Sequence, residues 1–512
     1  MNHPRVHHRL DEDLEIERDV CVIGSGAGGA VVAAGLASRG LSVAILEEGA
    51  YRTRVDFRMD EGEAYRTLYQ DRGLRSTTDL AITILQGKAV GGSTVVNWTT
   101  CFRAPDAVLR HWEREFGLRG WTPEALARHF EAVERRLSIA EWPEALANPN
   151  NRVLLEGCRR LGYAVGPLRR NVRRCENTGY CGMGCPVDAK QAMHLTYVPD
   201  ALESGAELFA CVRAQRIEVE RGRAREVLGL AVDPESGRPT GWQIRVRARA
   251  LVVSAGALNS PALLLRSGLD DGKVGRRTFL HPTVAMAAFF DHPIHGYSGA
   301  PQSIVSHHFA DRGEERMGFF LETPPIHPML AATASPSFGA AQFEVMSRLS
   351  HMQALIALAI DGFLPGDEGG RVTVDREGRM RFSYPIREPL REAFRAASVE
   401  MARIQLAAGA AEVRSLHLEP VIVQSERDLE KLERAPYGAH RHSIFSAHQM
   451  GGCPMGEDEE VCVVDSELRH RRVENLYVVD GSVFPTSLGV NPSETIYALA
   501  HRAAERIAPA LR

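Results

Sequence analysis

The sequence predicts an α/β fold: a dinucleotide-binding domain with a doubly wound sheet and an α+β domain interleaved with it. Three observations carry this. A strand-helix-strand unit with a glycine fingerprint lies near the N-terminus, from Val20 to Glu48. A second strand-turn-helix unit follows Leu251. A third strand, Leu476 to Val479, leads to a closing helix, and the region before it alternates like an antiparallel sheet.

Val20 to Ile23 is a short β-branched run, as a strand buried on both faces should read. Gly24, Gly26 and Gly29 then give G-x-G-x-x-G. One glycine makes the turn, one admits a pyrophosphate to the backbone, and one lets helix pack on strand. The Ala-rich helix stops at Gly40, a natural C′ residue, and the strand Leu41 to Leu46 ends in Glu47. The helix N-terminus suits phosphate, and an acid at Glu47 suits the ribose hydroxyls. Residues 1–15 read as a flexible lead-in, and Tyr51 to Asp79 as a long, irregular charged loop with short helices. Gln86 to Asn97 is a second Gly-rich stretch, between the apolar Ile82 to Leu85 and Trp98, and so set against the core. Its glycines allow a flat ring or a phosphate to approach backbone N–H groups.

Residues 104–170 read as helices, one of them starting at Thr122-Pro123-Glu124. From Gly205 the pattern turns β: Trp242, Ile244 and Val246 alternate with Gln243, Arg245 and Arg247 after the turn Asp233 to Gly241. The strand deepens into Leu251 to Val253 and breaks at Ser254-Ala255-Gly256, before a helix opened by Ser260-Pro261. Arg371 to Tyr384 is a hairpin around Asp375 to Gly378. Arg387 to Ala408 is an amphipathic helix with Leu390, Phe394, Ala397, Met401 and Ile404 on one face. The expected division is a nucleotide domain in three pieces (16–100, 191–284 and 441–512), a helical or lid region at 101–190 and a substrate domain at 285–440.

Composition sets bounds. With 512 residues, 44% hydrophobic and 25% charged, the chain is globular and large enough for two domains. A net charge of −4 gives no electrostatic footprint for nucleic acid. The first eighteen residues lack an apolar core, no apolar run reaches membrane-spanning length, and the nine cysteines form no scaffold pattern. These features predict a cytoplasmic protein and leave peripheral membrane contact open.

The motifs Gly24-x-Gly26-x-x-Gly29, Gly87-Lys88-Ala89-Val90-Gly91-Gly92-Ser93, Ser254 to Pro261 and Asn475 to Pro485 occur in one order over nearly the whole chain. Together they resemble the glucose-methanol-choline (GMC) oxidoreductases. Gly179 to Ala192, Leu280-His281-Pro282, Glu322 to Pro328 and His448 to Gly456 resemble the long-chain (fatty) alcohol oxidase branch. The resemblance implies an FAD-binding Rossmann-like domain of the GMC/PHBH type, non-covalent FAD, an alcohol substrate, and O2 or another electron acceptor. It also implies roles for single residues. Glu47 would take the adenosine ribose, and Ala214 would meet adenine through its backbone. Gly91, Gly92, Ser93 and Asn97 would lie along the pyrophosphate and flavin. Asp480 and Gly481 would approach the flavin end.

Alcohol oxidation needs a proton removed from oxygen and a hydride removed from carbon. Histidine is the ready base near neutral pH. One of nineteen histidines, His448 is singled out by its match to the family motif and by the glycines that follow it. Asn491 in Asn491-Pro492-Ser493-Glu494 reads locally as a helix N-cap. By resemblance it pairs with the histidine and hydrogen-bonds the alcohol oxygen. Cys175, Cys181 and Cys185 are candidates for an iron–sulfur cluster, as in some flavin sugar dehydrogenases, but inert thiols are the simpler reading and no metal is expected. His440 and His442, at i and i+2, offer a metal pair, but exposed loop residues are the simpler reading. Met352 to Leu364 and Ala285 to Phe290 are candidates to line an apolar pocket, with Glu322 and Glu344 as extra acids. A non-redox cyanohydrin lyase and an iron–sulfur sugar or polyol dehydrogenase remain as alternatives.

Overall fold

The computed structural model describes residues 3–511. Two sheets organise it. The first is built from β1 (Val6–His7), β2 (Leu14–Ile23), β3 (Val43–Leu46), β4 (Glu207–Phe209), β5 (Val212–Glu220), β6 (Arg223–Val232), β7 (Pro239–Val253) and β8 (Leu476–Val478). Its order is β1-β4-β3-β2-β7-β6-β5, with β8 also paired to β7. Strands β1, β4, β3, β2, β7 and β8 are parallel, while β5 and β6 form an antiparallel meander. The expected apolar runs pair in register at its centre: Val20 with Val43 and with Ala250, and Val253 with both Ile23 and Val478. All are buried, because helices cover a parallel sheet on both faces.

Between β2 and β3 runs helix α1 (Ala27–Ala37), and after β7 comes α2 (Asn259–Arg266). The closing helix α3 (Ser493–Ala510) packs on α1, where a Cβ on Gly35 would lie 2.5 Å from Ala504. The two helices therefore meet at van der Waals contact only because Gly35 is bare.

The second sheet is antiparallel. Thr283–Phe289, Met352–Ala359, Phe319–Glu322 and Ile304–Ser306 run side by side, and Glu412–Ser415 flanks the first of them. The helix Glu388–Ala407 lies on this sheet and buries Leu390, Phe394, Ala397, Met401 and Ile404, the face read from periodicity. The hairpin forms with Val372 opposite Phe382 and Val374 opposite Met380.

Three expectations need correction. The lead-in is not loose: β1 pairs with β4, and the His7 ring stacks on Phe209 at 4.4 Å. Trp242 is 42% exposed although Ile244 and Val246 are buried. The pairing of β7 with β2 begins at Ile244, so the sheet is open on that side at Trp242, and the register with β6 is irregular there. Asn491 does not cap α3, whose start carries no side-chain cap bond. Its amide is turned elsewhere, as described next. Among the described residues no helix is long and apolar enough to cross a membrane, and all nine cysteines are unpaired.

Candidate active site

A cavity of about 650 Å³ runs along the C-terminal edge of the parallel strands. Ligands in open α/β sheets sit at this edge. Glu47 and Ala214 line one part of it, Gly24, Gly26, Gly92 and Ser93 another, and Asp480, Gly481, His448 and Asn491 a third.

The two glycine-rich stretches meet through Ser25. Its hydroxyl donates to Glu47 Oε2 at 2.7 Å and accepts from the Gly91 N–H at 3.0 Å. Glu47 also accepts from the N–H groups of Ser25 and Gly49 at 3.0 and 2.7 Å. Burial raises its pKa, against these hydrogen bonds. Gly91 does not line the cavity, and its N–H serves Ser25. Neither does Gly29, whose Cβ would lie 1.9 Å from the Gly24 carbonyl oxygen. Gly24 is left-handed, at φ +102°, and a Cβ there would strike Ser254. Gly26 differs: a Cβ on it meets only Gly92 Cα at 3.7 Å, so it would project into the cavity.

A dinucleotide cofactor fits these residues. The N-cap of α1, Gly26, makes no side-chain cap bond and the first turn holds no acid, so open N–H groups face the cavity. Asn97, on the cavity wall, keeps a buried Oδ1 without a partner. Asp480 is committed to the protein: it accepts from Gly256 N–H and Ser260 Oγ at 2.8 and 2.6 Å, and from Ser482 N–H at 2.8 Å. It thus ties the turn before α2 to the segment after β8, on the cavity wall.

At the far end, His448 Nε2 lies 3.2 Å from Asn491 Nδ2. The same Nδ2 lies 3.5 Å from Glu322 Oε2, which also accepts from Gln302 Nε2 at 2.6 Å. Gln302 in turn accepts from Thr100 Oγ1 at 2.7 Å. On its other side, His448 Nδ1 lies 3.2 Å from Nδ1 of the fully buried His281. Burial lowers the His448 pKa to about 4 and lifts that of Glu322 to about 8. At pH 7 His448 is neutral and Glu322 is a carboxylic acid. Ile356, Leu358 and Phe445 form the apolar wall nearby.

Sequence reasoning brought His448 and Asn491 forward but assigned no role to Ser25, His281 or Gln302. Ser25 stands inside the fingerprint and His281 inside a quoted motif, so both were visible without their partners being so. Of the two apolar runs, Ile356 and Leu358 reach the cavity, while Ala285 to Phe290 does not. Glu322 is buried beside Asn491, whereas Glu344 is exposed and pairs with Arg414 at 2.9 Å. His442 is buried, contrary to expectation, and accepts from Gly438 N–H.

Cys175, Cys181 and Cys185 share the wall of a small cleft with the buried Lys190. Among the described residues, the one trio of potential ligand atoms lying within 4.8 Å of one another is His129, His501 and Glu505, so the three thiols do not converge. The Lys190 ammonium instead donates to the carbonyls of Val95, Asn97 and Cys181 and anchors the turn that carries Asn97.

Two family models, both for GMC oxidoreductases, match residues 65–283 and 365–500. An uncharacterized GMC-type oxidoreductase of Mycobacterium tuberculosis is 34% identical over 493 residues, covering 95% of this chain and 75% of its own. A long-chain-alcohol oxidase of Arabidopsis thaliana is 32% identical over 524 residues, covering 98% of this chain and 69% of its own. Among solved structures, pyridoxine 4-oxidase from Mesorbium loti superposes with a TM-score of 0.72 at 20% identity, over 95% of this chain and 98% of that one. Formate oxidase from Aspergillus oryzae gives 0.71 at 16% identity, over 98% and 99%. The last two likenesses concern the fold.

Proposed function

The chain belongs to the GMC oxidoreductases, and from that premise we propose that it oxidises a hydrophobic alcohol to an aldehyde or ketone, with His448 and Asn491 on the alcohol oxygen. The family binds FAD and acts on CH–OH donors. FAD, when bound, accepts the hydride. Gly26, Gly92 and the open N–H groups of α1 would hold its phosphates, Glu47 and Ala214 its adenosine end, and Asn97 and Gly481 its ring end, on a wall that Asp480 ties together.

The observation that carries the reading is the 3.2 Å approach of His448 Nε2 to the Asn491 amide on the cavity wall. An alcohol oxygen set between them has an imidazole to take its proton and an amide N–H to donate to it. A low pKa keeps His448 unprotonated at neutral pH, as a base must be. The apolar wall of Ile356, Leu358 and Phe445 supports a hydrophobic substrate, as does the similarity to proteins named long-chain-alcohol oxidases. Proton removal is the task of this chain; excluding water while the hydride moves is the task of the wall.

Aliphatic, terpene and sterol alcohols, added anaerobically to the FAD-loaded enzyme, are expected to bleach its yellow absorbance. No bleaching across the three classes contradicts the substrate reading. Cyanide release from a cyanohydrin without bleaching replaces it with lyase chemistry. Oxygen uptake against dye reduction separates oxidase from dehydrogenase.

A further inference from the structure

We infer that His129, His501 and Glu505 form a binding site for one late first-row divalent ion of the zinc, nickel or copper kind. None of the three lines the flavin cavity, and the inference does not depend on the alcohol reading.

The site is built where two helices pack. α3 lies against the helix Pro123–Leu137. His501 and Glu505 stand four residues apart on α3, so their side chains share one face. His129 meets them from the other helix. Among the described residues, these three are the one group of His, Cys, Asp or Glu whose ligand atoms all lie within 4.8 Å of one another. Two imidazoles and a carboxylate are a ligand set that zinc and its neighbours in the row accept, with water completing the shell.

The two imidazoles meet nitrogen to nitrogen. His129 Nδ1 lies 2.9 Å from His501 Nδ1, an approach that needs a lone pair on at least one of them. An ion about 2.05 Å from both would see them at about 90°. That is the cis angle of a square-planar site, which nickel(II) and copper(II) favour. Opening the pair to about 3.3 Å gives the tetrahedral angle that zinc prefers. His501 is partly exposed and has room to give way, whereas His129 is only 2% exposed and stays in place. Binding turns both Nδ1 lone pairs to the ion and leaves each ring with its proton on Nε2. The proton between the rings leaves to solvent and Nε2 of the same ring takes one up, past the open edge that His501 and Glu505 form.

Glu505 supplies the negative charge. Its Oε2 accepts from Arg128 at 2.5 Å, and Arg39 approaches Oε1 at 3.7 Å. A carboxylate has lone pairs for an ion as well as for a guanidinium. The Arg128 side chain is 68% exposed, so its pair with Glu505 is a weak competitor. Two guanidiniums around one carboxylate leave the surroundings positive. This disfavours calcium and magnesium, which need several oxygens, and selects ions whose affinity comes from imidazole nitrogen. Such an ion would fasten the helix that follows Asn491 to the helix Pro123–Leu137.

Calorimetric titration of the untagged, FAD-loaded full chain with zinc chloride tests this. Wild type is expected to bind one equivalent and to gain melting temperature, and magnesium chloride to do neither. His501→Gln and Glu505→Gln alter partly exposed side chains and should keep FAD and the metal-free melting temperature. Each should weaken zinc binding at least about ten-fold, the scale on which even an outer-shell partner is felt. Anomalous diffraction at the zinc edge, from wild-type crystals soaked in zinc, needs no variant and should place the ion between the three side chains. Absence of zinc binding, unchanged affinity in either variant, or zinc found only at other histidines overturns the inference. None of these readouts uses an alcohol, so they fail or succeed apart from the reading of His448.

Discussion

Glu322 is held as a neutral acid because no cation reaches it: its hydrogen-bond partners are the amides of Gln302 and Asn491. Its burial is complete and its folded pKa is about 8. The sign of its effect on stability is the reverse of the usual carboxylate. Below the unfolded pKa of about 4.3 both states are protonated and the group costs nothing. Between about pH 4.3 and 8 the unfolded chain ionises and the folded one does not, so stability falls by up to about 1.4 kcal/mol per pH unit. Glu322→Gln removes that penalty. Its melting temperature relative to wild type should be near parity at about pH 4 and should rise steadily toward pH 8. A difference that stays flat with pH contradicts a neutral Glu322.

At the scale of elements, the turn between β2 and α1 makes the sharpest distinction among like residues. Gly29→Ala drives a methyl into the Gly24 carbonyl, and Gly24→Ala adds strain at positive φ to a clash with Ser254. Both should fold poorly. Gly26→Ala finds open space and should melt, without cofactor, close to wild type. It should bind FAD at least ten-fold more weakly, because the methyl stands where the backbone should meet phosphate. Fluorescence titration with FAD checks this, and unchanged affinity would remove Gly26 from the phosphate site.

Elements with a period of their own were the legible ones. The strand from Val20, the helix from Arg387 and the hairpin from Arg371 form where pattern and turn residues agreed. The start of α3 was misread for a physical reason. Asn-Pro-Ser-Glu has the chemistry of a cap, but the amide had a better use beside His448 and Glu322, which sequence distance conceals. His281 and Gln302 went unassigned likewise, since their meaning lies in partners 167 and 20 residues away. The fold was thus readable from local signals, whereas the paired side chains needed the second sheet to bring them together.

At the scale of the molecule, the cavity takes walls from both sheets and from segments spread between Ile23 and Ile496. A cofactor filling it should behave as part of the core. Free FAD at about 100 times its dissociation constant should add about 2.7 kcal/mol to stability and raise the melting temperature in a concentration-dependent way. A melting temperature indifferent to FAD would place the cofactor outside this cavity.

Single-turnover reduction of the bound flavin by a saturating alcohol, followed in wild type and in His448→Ala, tests the central claim most directly. With His448 as the group that takes the hydroxyl proton, His448→Ala should keep its FAD and its yellow spectrum but reduce at least about 100-fold more slowly. Reduction at the wild-type rate would contradict the account and move the base to another residue.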